Sequence, residues 1–164
     1  MDAWQNGGNY KLEEGVIHGS KGRLFSKKQY EDFYLKFEFK LADASNNGLA
    51  VRTPPKAKPI ELQIIDNQSK KYLKIKDYQR HGSLYNYVAA KTGFLKPTGE
   101  WNAQDVVCKG SMVTVTLNGT VIMEADFAKV KPIGDSYIVN YMNKAKKGHF
   151  GFLGHNSPIW VRNI

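Results

Sequence analysis

Phe33-Tyr34-Leu35-Lys36-Phe37-Glu38-Phe39-Lys40-Leu41 is the stretch that decides the fold. Its odd-numbered positions are large and apolar, while Tyr34, Lys36, Glu38 and Lys40 are amphipathic or charged. In an extended chain successive side chains point to opposite faces, so this alternation predicts a strand with one face in a core and the other in water. Downstream, Asn46-Asn47-Gly48 predicts a turn, because Asn and Gly tolerate positive φ. Leu49-Ala50-Val51-Arg52 then reads as the next strand. Met112–Leu117 and Thr120–Met123 flank Asn118-Gly119, a strong hairpin signal. That hairpin is expected to pair Leu117 with Thr120 and Val115 with Ile122.

Further strands are predicted at Tyr10–Glu13, Val16–His18, Arg23–Ser26, Ile60–Asp66, Val106–Lys109, His149–Leu153 and Ile159–Arg162. Fifteen glycines and six prolines interrupt the chain too often for long helices, and Ala125–Lys131 is expected to hold at most a single turn. Many short strands with frequent turns predict an all-β fold, a sandwich of two antiparallel sheets formed by residues 1–164 as one domain. One polar-lined face of such a sandwich can hold an extended saccharide.

Composition narrows the function classes. The 164 residues carry 41% hydrophobic side chains, enough for a core. No apolar run reaches the roughly 20 residues of a membrane-spanning helix. Met1-Asp2-Ala3-Trp4 shows neither the basic start nor the apolar run of a signal peptide. The single cysteine, Cys108, sits in a strand-like run and reads as a small buried hydrophobe. The net charge of +9 raises the question of an anionic partner. The lysines come in small groups (Lys27-Lys28, Lys70-Lys71, and Lys144 with Lys146-Lys147) that read as solvated turns, so nucleic acid is not an expected partner. The four histidines show no zinc spacing. There is no phosphate-cradling glycine motif and no nucleophile elbow.

Candidate chemistry starts at Glu61-Leu62-Gln63-Ile64-Ile65-Asp66. Glu61 and Gln63 share a strand face at roughly 6.6 Å. A β-bulge near Ile64-Ile65 would bring Asp66 to that face, giving the two carboxylates that glycosidic cleavage uses. His81 lies in the polar run Arg80-His81-Gly82-Ser83-Leu84-Tyr85 and titrates near neutrality. Tyr85 and Trp101 offer flat rings for the C–H face of a sugar, and Gln63, Asn102 and His155 offer hydrogen bonds to its hydroxyls. Arg52 ends a strand and keeps its charge, so it could grip an oxygen or Glu61. Catalytic roles are therefore expected of Glu61, His81 and Asp66. Substrate binding is expected of Arg52, Gln63, Tyr85, Trp101, Asn102 and His155, with Arg52, Glu61, Gln63, His81, Tyr85 and Trp101 gathered on one concave face.

Taken in order, these segments resemble the 3-keto-disaccharide hydrolase domain family. The resemblance runs through Leu12–Gly19, Leu24–Phe33, Asn46–Arg52, Glu61–Asp66, His81–Tyr85, Gly99–Asn102, Leu117–Gly119 and Gly148–His155, and closes on Trp160-Val161-Arg162-Asn163-Ile164. It implies a concanavalin A-like jelly roll in a secreted, periplasmic or lipid-anchored bacterial protein. It also implies cleavage of glycosides already oxidised at C3, where the ketone acidifies the C2 proton and allows a base to eliminate the aglycone. The loop Thr53–Pro59 is unusually basic and proline-rich beside this pattern. No cofactor is called for; structural calcium is compatible with such a sandwich, though no Asp-rich loop demands it. A glycoside-cleaving enzyme is thus expected. The alternatives are a non-catalytic carbohydrate-binding module on the same fold, and a basic domain for an anionic polymer.

Overall fold

The computed structural model describes residues 1–54, 58–133 and 146–164. These form ten strands: β1 (Trp4–Asn6), β2 (Lys11–Glu13), β3 (Val16–Ser26), β4 (Phe33–Leu41), β5 (Asn46–Thr53), β6 (Ile60–Ile65), β7 (Asn102–Lys109), β8 (Met112–Leu117), β9 (Thr120–Asp126) and β10 (His149–Arg162). Short 3-10 turns at Lys70–Tyr72 and Asp77–Gln79 are the helical elements among the described residues. All strand pairs are antiparallel.

Two long strands organise everything else. The first half of β10 pairs with β5 on one side and with Gly22–Phe25 of β3 on the other. Its second half pairs with β4 and with Ile17–Gly19 of β3. The register shifts between His155 and Ile159, where β10 leaves one sheet for the other. The first sheet therefore runs β1-β3-β10-β5-β6, and the second runs β2-β3-β10-β4-β7-β8-β9.

The core lies between these layers. Leu24, Leu49, Leu62 and Phe152 point inward from the first sheet, and Phe37, Phe39, Val106 and Val115 from the second, all fully buried. Phe37 meets Phe152 edge-on across the interface, with ring centroids 5.4 Å apart. The alternation predicted for residues 33–41 is present: Leu35, Phe37, Phe39 and Leu41 are buried and Tyr34 and Lys36 exposed.

Several local expectations need correction. Asn46-Asn47-Gly48 is strand, not turn; the chain reverses at Ala42–Ser45, where Ala44 takes φ 54° and Ser45 N donates to Ala42 O. Val16–His18 and Arg23–Ser26 are one strand, as are His149–Leu153 and Ile159–Arg162. In the β8–β9 hairpin Leu117 pairs with Thr120 as expected, but Val115 faces Met123 because a bulge separates Val115 from Thr116 in the pairing. The single turn expected within Ala125–Lys131 is present after the end of β9, with Lys129 N and Val130 N donating to Asp126 O. Of the basic loop Thr53–Pro59, residues 55–57 lie outside the described residues, as does Lys144.

Candidate functional site

The outer face of the first sheet follows from strand register. Ala50 pairs with both Glu61 and Gly151, and Gly151 with Phe25. In the next row on this face Gly48 pairs with Gln63 and Leu153, and Leu153 with Arg23. His155 continues the same face of β10, two residues beyond Leu153. Beyond β6, the bridge Leu62–Leu84 and the bond from Tyr85 N to Glu61 O set Tyr85 directly beside Glu61. Small residues thus floor the centre, and functional groups stand around it.

Gly48 decides how those groups meet. A Cβ there would stand 2.1 Å from Glu61 Oε1, so the carboxylate fills the space a side chain would take. Stretched over that glycine, Glu61 Oε1 comes within 3.6 Å of His155 Nε2. The hydrogen bond that the imidazole donates to the Glu61 carboxylate holds the His155 pKa above its ordinary value, against partial burial and the nearby Arg23 guanidinium. The pair lies in a cleft of ≈ 390 Å³ lined also by Arg23, Lys58, Pro59 and Leu153. A carboxylate that accepts a proton beside an imidazole that donates one is an acid–base pair.

The structure brings some predicted residues to this face and sends others elsewhere. Glu61, Gln63, Tyr85 and His155 share it. The Gln63 side chain is buried and its Oε1 accepts from Ile64 N, while the Tyr85 hydroxyl accepts from Gln79 Nε2. His81 lies between the sheets instead. It is 1% exposed, stacks on Phe39 at 5.1 Å and sits with Nε2 3.0 Å from Gln104 Oε1. Burial pulls its pKa from 6.5 down to about 4. Asp66 follows a β6 whose pairing with β5 has no bulge, so nothing turns it toward Glu61. Its carboxylate instead accepts from Ala44 N, Gln68 N and Thr98 Oγ1, tying three loops together.

Arg52, at φ 43°, is buried at the far end of β5. It donates to Glu31 O, Gly110 O and the Asp32 carboxylate, so it clamps the β7–β8 turn to the segment before β4. Asn102 is equally internal; its Oδ1 accepts from Lys96 N and Asn118 Nδ2. Trp101 stands on the outer face of the second sheet. Lys40 Nζ lies 5.2 Å from its ring and 5.0 Å from that of Trp160, and the Arg162 guanidinium lies 4.0 Å from Trp101. The expected gathering of six residues on one face is therefore corrected to Glu61, Gln63 and Tyr85, joined by His155. Arg23 and Lys58 were not anticipated; the alternation Lys21-Gly22-Arg23-Leu24-Phe25-Ser26 was the available signal for Arg23.

A second carboxylate–imidazole pair exists on that other face, Glu13 with His18 at 3.1 Å. Its carboxylate side chain is 63% exposed against 19% for Glu61, and water weakens a proton-transfer pair of that kind. The Glu61 pair is the better candidate. Among the described residues no three His, Cys, Asp or Glu side chains converge on a metal position, and no helix is long and apolar enough to cross a membrane.

The chain matches the family described as the 3-keto-alpha-glucoside-1,2-lyase-like domain over residues 1–164. Among solved structures it is similar to a presumptive glycosyl hydrolase from Parabacteroides distasonis ATCC 8503, at 26% identity and TM-score 0.89, over 99% of this chain and 91% of that one. Another presumptive glycosyl hydrolase from the same organism matches at 22% identity and TM-score 0.78, over 99% and 86%. The carbohydrate-binding module CBM66 from Bacillus subtilis matches at 13% identity and TM-score 0.62, over 98% and 92%. These last two likenesses carry the fold alone, a concanavalin A-like jelly roll. Among curated proteins none matches this chain.

Proposed function

This chain belongs to the 3-keto-alpha-glucoside-1,2-lyase-like domain family, and from that membership we propose that the outer face of its first sheet binds a glycoside oxidised at C3 and cleaves it. Its function is carbohydrate-related; the particular reaction is our reading of the site. The observation that carries it is the Glu61 carboxylate laid over Gly48 to meet His155 at 3.6 Å.

The chemistry follows from what a ketone does to its neighbours. In a 3-keto glycoside the C2–H bond is acidified by the C3 carbonyl. The Glu61 carboxylate takes that proton, the C2–H electron pair becomes the C1=C2 double bond, and the C1–O bond breaks. His155, held protonated to higher pH by its carboxylate neighbour, gives its proton to the departing oxygen. Proton loss and leaving-group departure occur on adjacent carbons, so base and acid must sit close together, as Glu61 and His155 do. Tyr85 beside Glu61 supplies a ring edge and Gln63 a neutral amide on the same face. Hydration of the resulting enone completes a net hydrolysis.

Purified protein incubated with 3-keto and unoxidised disaccharides, with products separated by liquid chromatography, tests this. Wild type should release the aglycone from the 3-keto sugar, and Glu61→Gln and His155→Gln should each lower turnover by on the order of 10²-fold. Binding without cleavage by wild type would make the domain a carbohydrate-binding module. Unchanged turnover in Glu61→Gln would place the site elsewhere.

A further inference from the structure

The cleft around Glu61 and His155 carries more positive charge than that pair needs. Arg23 projects from β3 on the outer face, in register with Leu153. Its guanidinium is close enough to His155 to oppose protonation of the imidazole. Lys58, already engaged with a partner of its own, also lines the cleft ahead of β6. Lys21, in register with His155, continues the outer face of β3 beyond Arg23. Glu61 is the one carboxylate among the described residues lining this cleft, and its charge is already shared with His155. The remaining walls, Pro59 and Leu153, are apolar and suit the C–H face of a ring.

A neutral sugar would leave the Arg23 guanidinium without a counterpart. Glu61 repels an anion from one end of the cleft, whereas Arg23 attracts one at the other, so a negatively charged substituent has one favourable end. Arginine presents a planar fork matched to carboxylate and sulfate oxygens. We propose that the saccharide taken by this cleft bears an anionic substituent, a carboxylate or a sulfate ester, held by Arg23 on the β3 side of His155. This rests on the reading of the Glu61–His155 cleft as the sugar site. The net charge of +9 adds long-range attraction for such a ligand.

The test follows the His155 ring signals by NMR during titration with three probes: methyl β-glucuronide, glucose 6-sulfate and methyl β-glucoside. Assignment comes from the spectrum of His155→Gln. At low salt the two anionic sugars should bind roughly threefold to tenfold more tightly than the glucoside, the scale of one partly exposed charge-assisted contact. High salt should shrink that gap. Arg23→Gln should abolish the preference and leave glucoside affinity unchanged. Tighter binding of one anionic probe than the other identifies which oxyanion the site takes. Equal affinity for all three, or a preference that survives Arg23→Gln, overturns the anionic assignment while leaving the sugar site intact. If none of the probes moves His155, the anionic assignment falls, and the sugar site itself is decided by the release of aglycone from the 3-keto disaccharide.

Discussion

Gly48 has no side chain, and the reach of Glu61 depends on that. Alanine there would put a methyl where the Glu61 carboxylate lies. The clash is with the far end of a flexible side chain, so Glu61 can swing away with little strain, but it then leaves His155. Gly48→Ala should therefore cost only about 1 kcal/mol of stability while lowering turnover by about tenfold or more. Denaturant melts and the aglycone assay check the two halves separately. His81 gives a second residue-scale expectation. Its folded pKa of about 4 lies below its ordinary 6.5, so its burial favours the folded state fully above pH 6.5 and that contribution is lost as the pH falls toward 4. The loss should be on the order of 3 kcal/mol across that window. His81→Gln keeps a polar partner for Gln104 and cannot be protonated, so its stability should fall less steeply with acid. A wild-type profile no steeper than the variant's would show that His81 is not held neutral in the core. Sequence reading could not place this residue. Its neighbours Arg80 and Gly82 look like loop, and it is long-range bonding, Gly82 N to Gln63 O and the pairing of Leu84 with Leu62, that carries His81 inward to Phe39. Glu61 and Gln63, by contrast, were legible as same-face neighbours, because period-two alternation is local.

At the scale of elements, strands were easier to read than their pairings. The alternation of β4 and the Asn-Gly hairpin are written in consecutive residues. The β8–β9 bulge is not. Asn46-Asn47-Gly48 looked like a turn because its residues permit one; it is strand because Asn47 and Gly48 pair with both β6 and β10. Arg52 shows how a polar residue at a strand end can serve packing. Its guanidinium bonds the Glu31 carbonyl and the Asp32 carboxylate of one segment and the Gly110 carbonyl of another. Arg52→Met would keep much of the side-chain volume and leave those carbonyls without a donor. We expect a loss of about 2–4 kcal/mol in denaturant unfolding and no change in sugar affinity. A variant that keeps its stability but loses sugar binding would instead make Arg52 a ligand contact.

For the whole molecule, both sheets contain β3 and β10, so neither layer is complete without strands it shares with the other. Trp4 reports on the first sheet, and Trp101 and Trp160 on the second. Unfolding followed by fluorescence in variants retaining Trp4 alone or Trp160 alone should give superimposable transitions, coincident also with circular dichroism. Separate midpoints would mean that the layers melt independently. Such sharing also pairs Ile17 with Val161 across nearly the whole chain, which makes folding slow by raising contact order. The same seam matters while the protein is being made. The residues of β10 leave the ribosome after the nine other strands of the described residues, yet they form the middle of both layers. Until residue 162 has emerged, β3, β4 and β5 each offer a bare edge to neighbouring nascent chains. A holding chaperone at the tunnel exit would have most to protect in that interval, and a frameshift just ahead of β10 would cost both layers their middle strand at once.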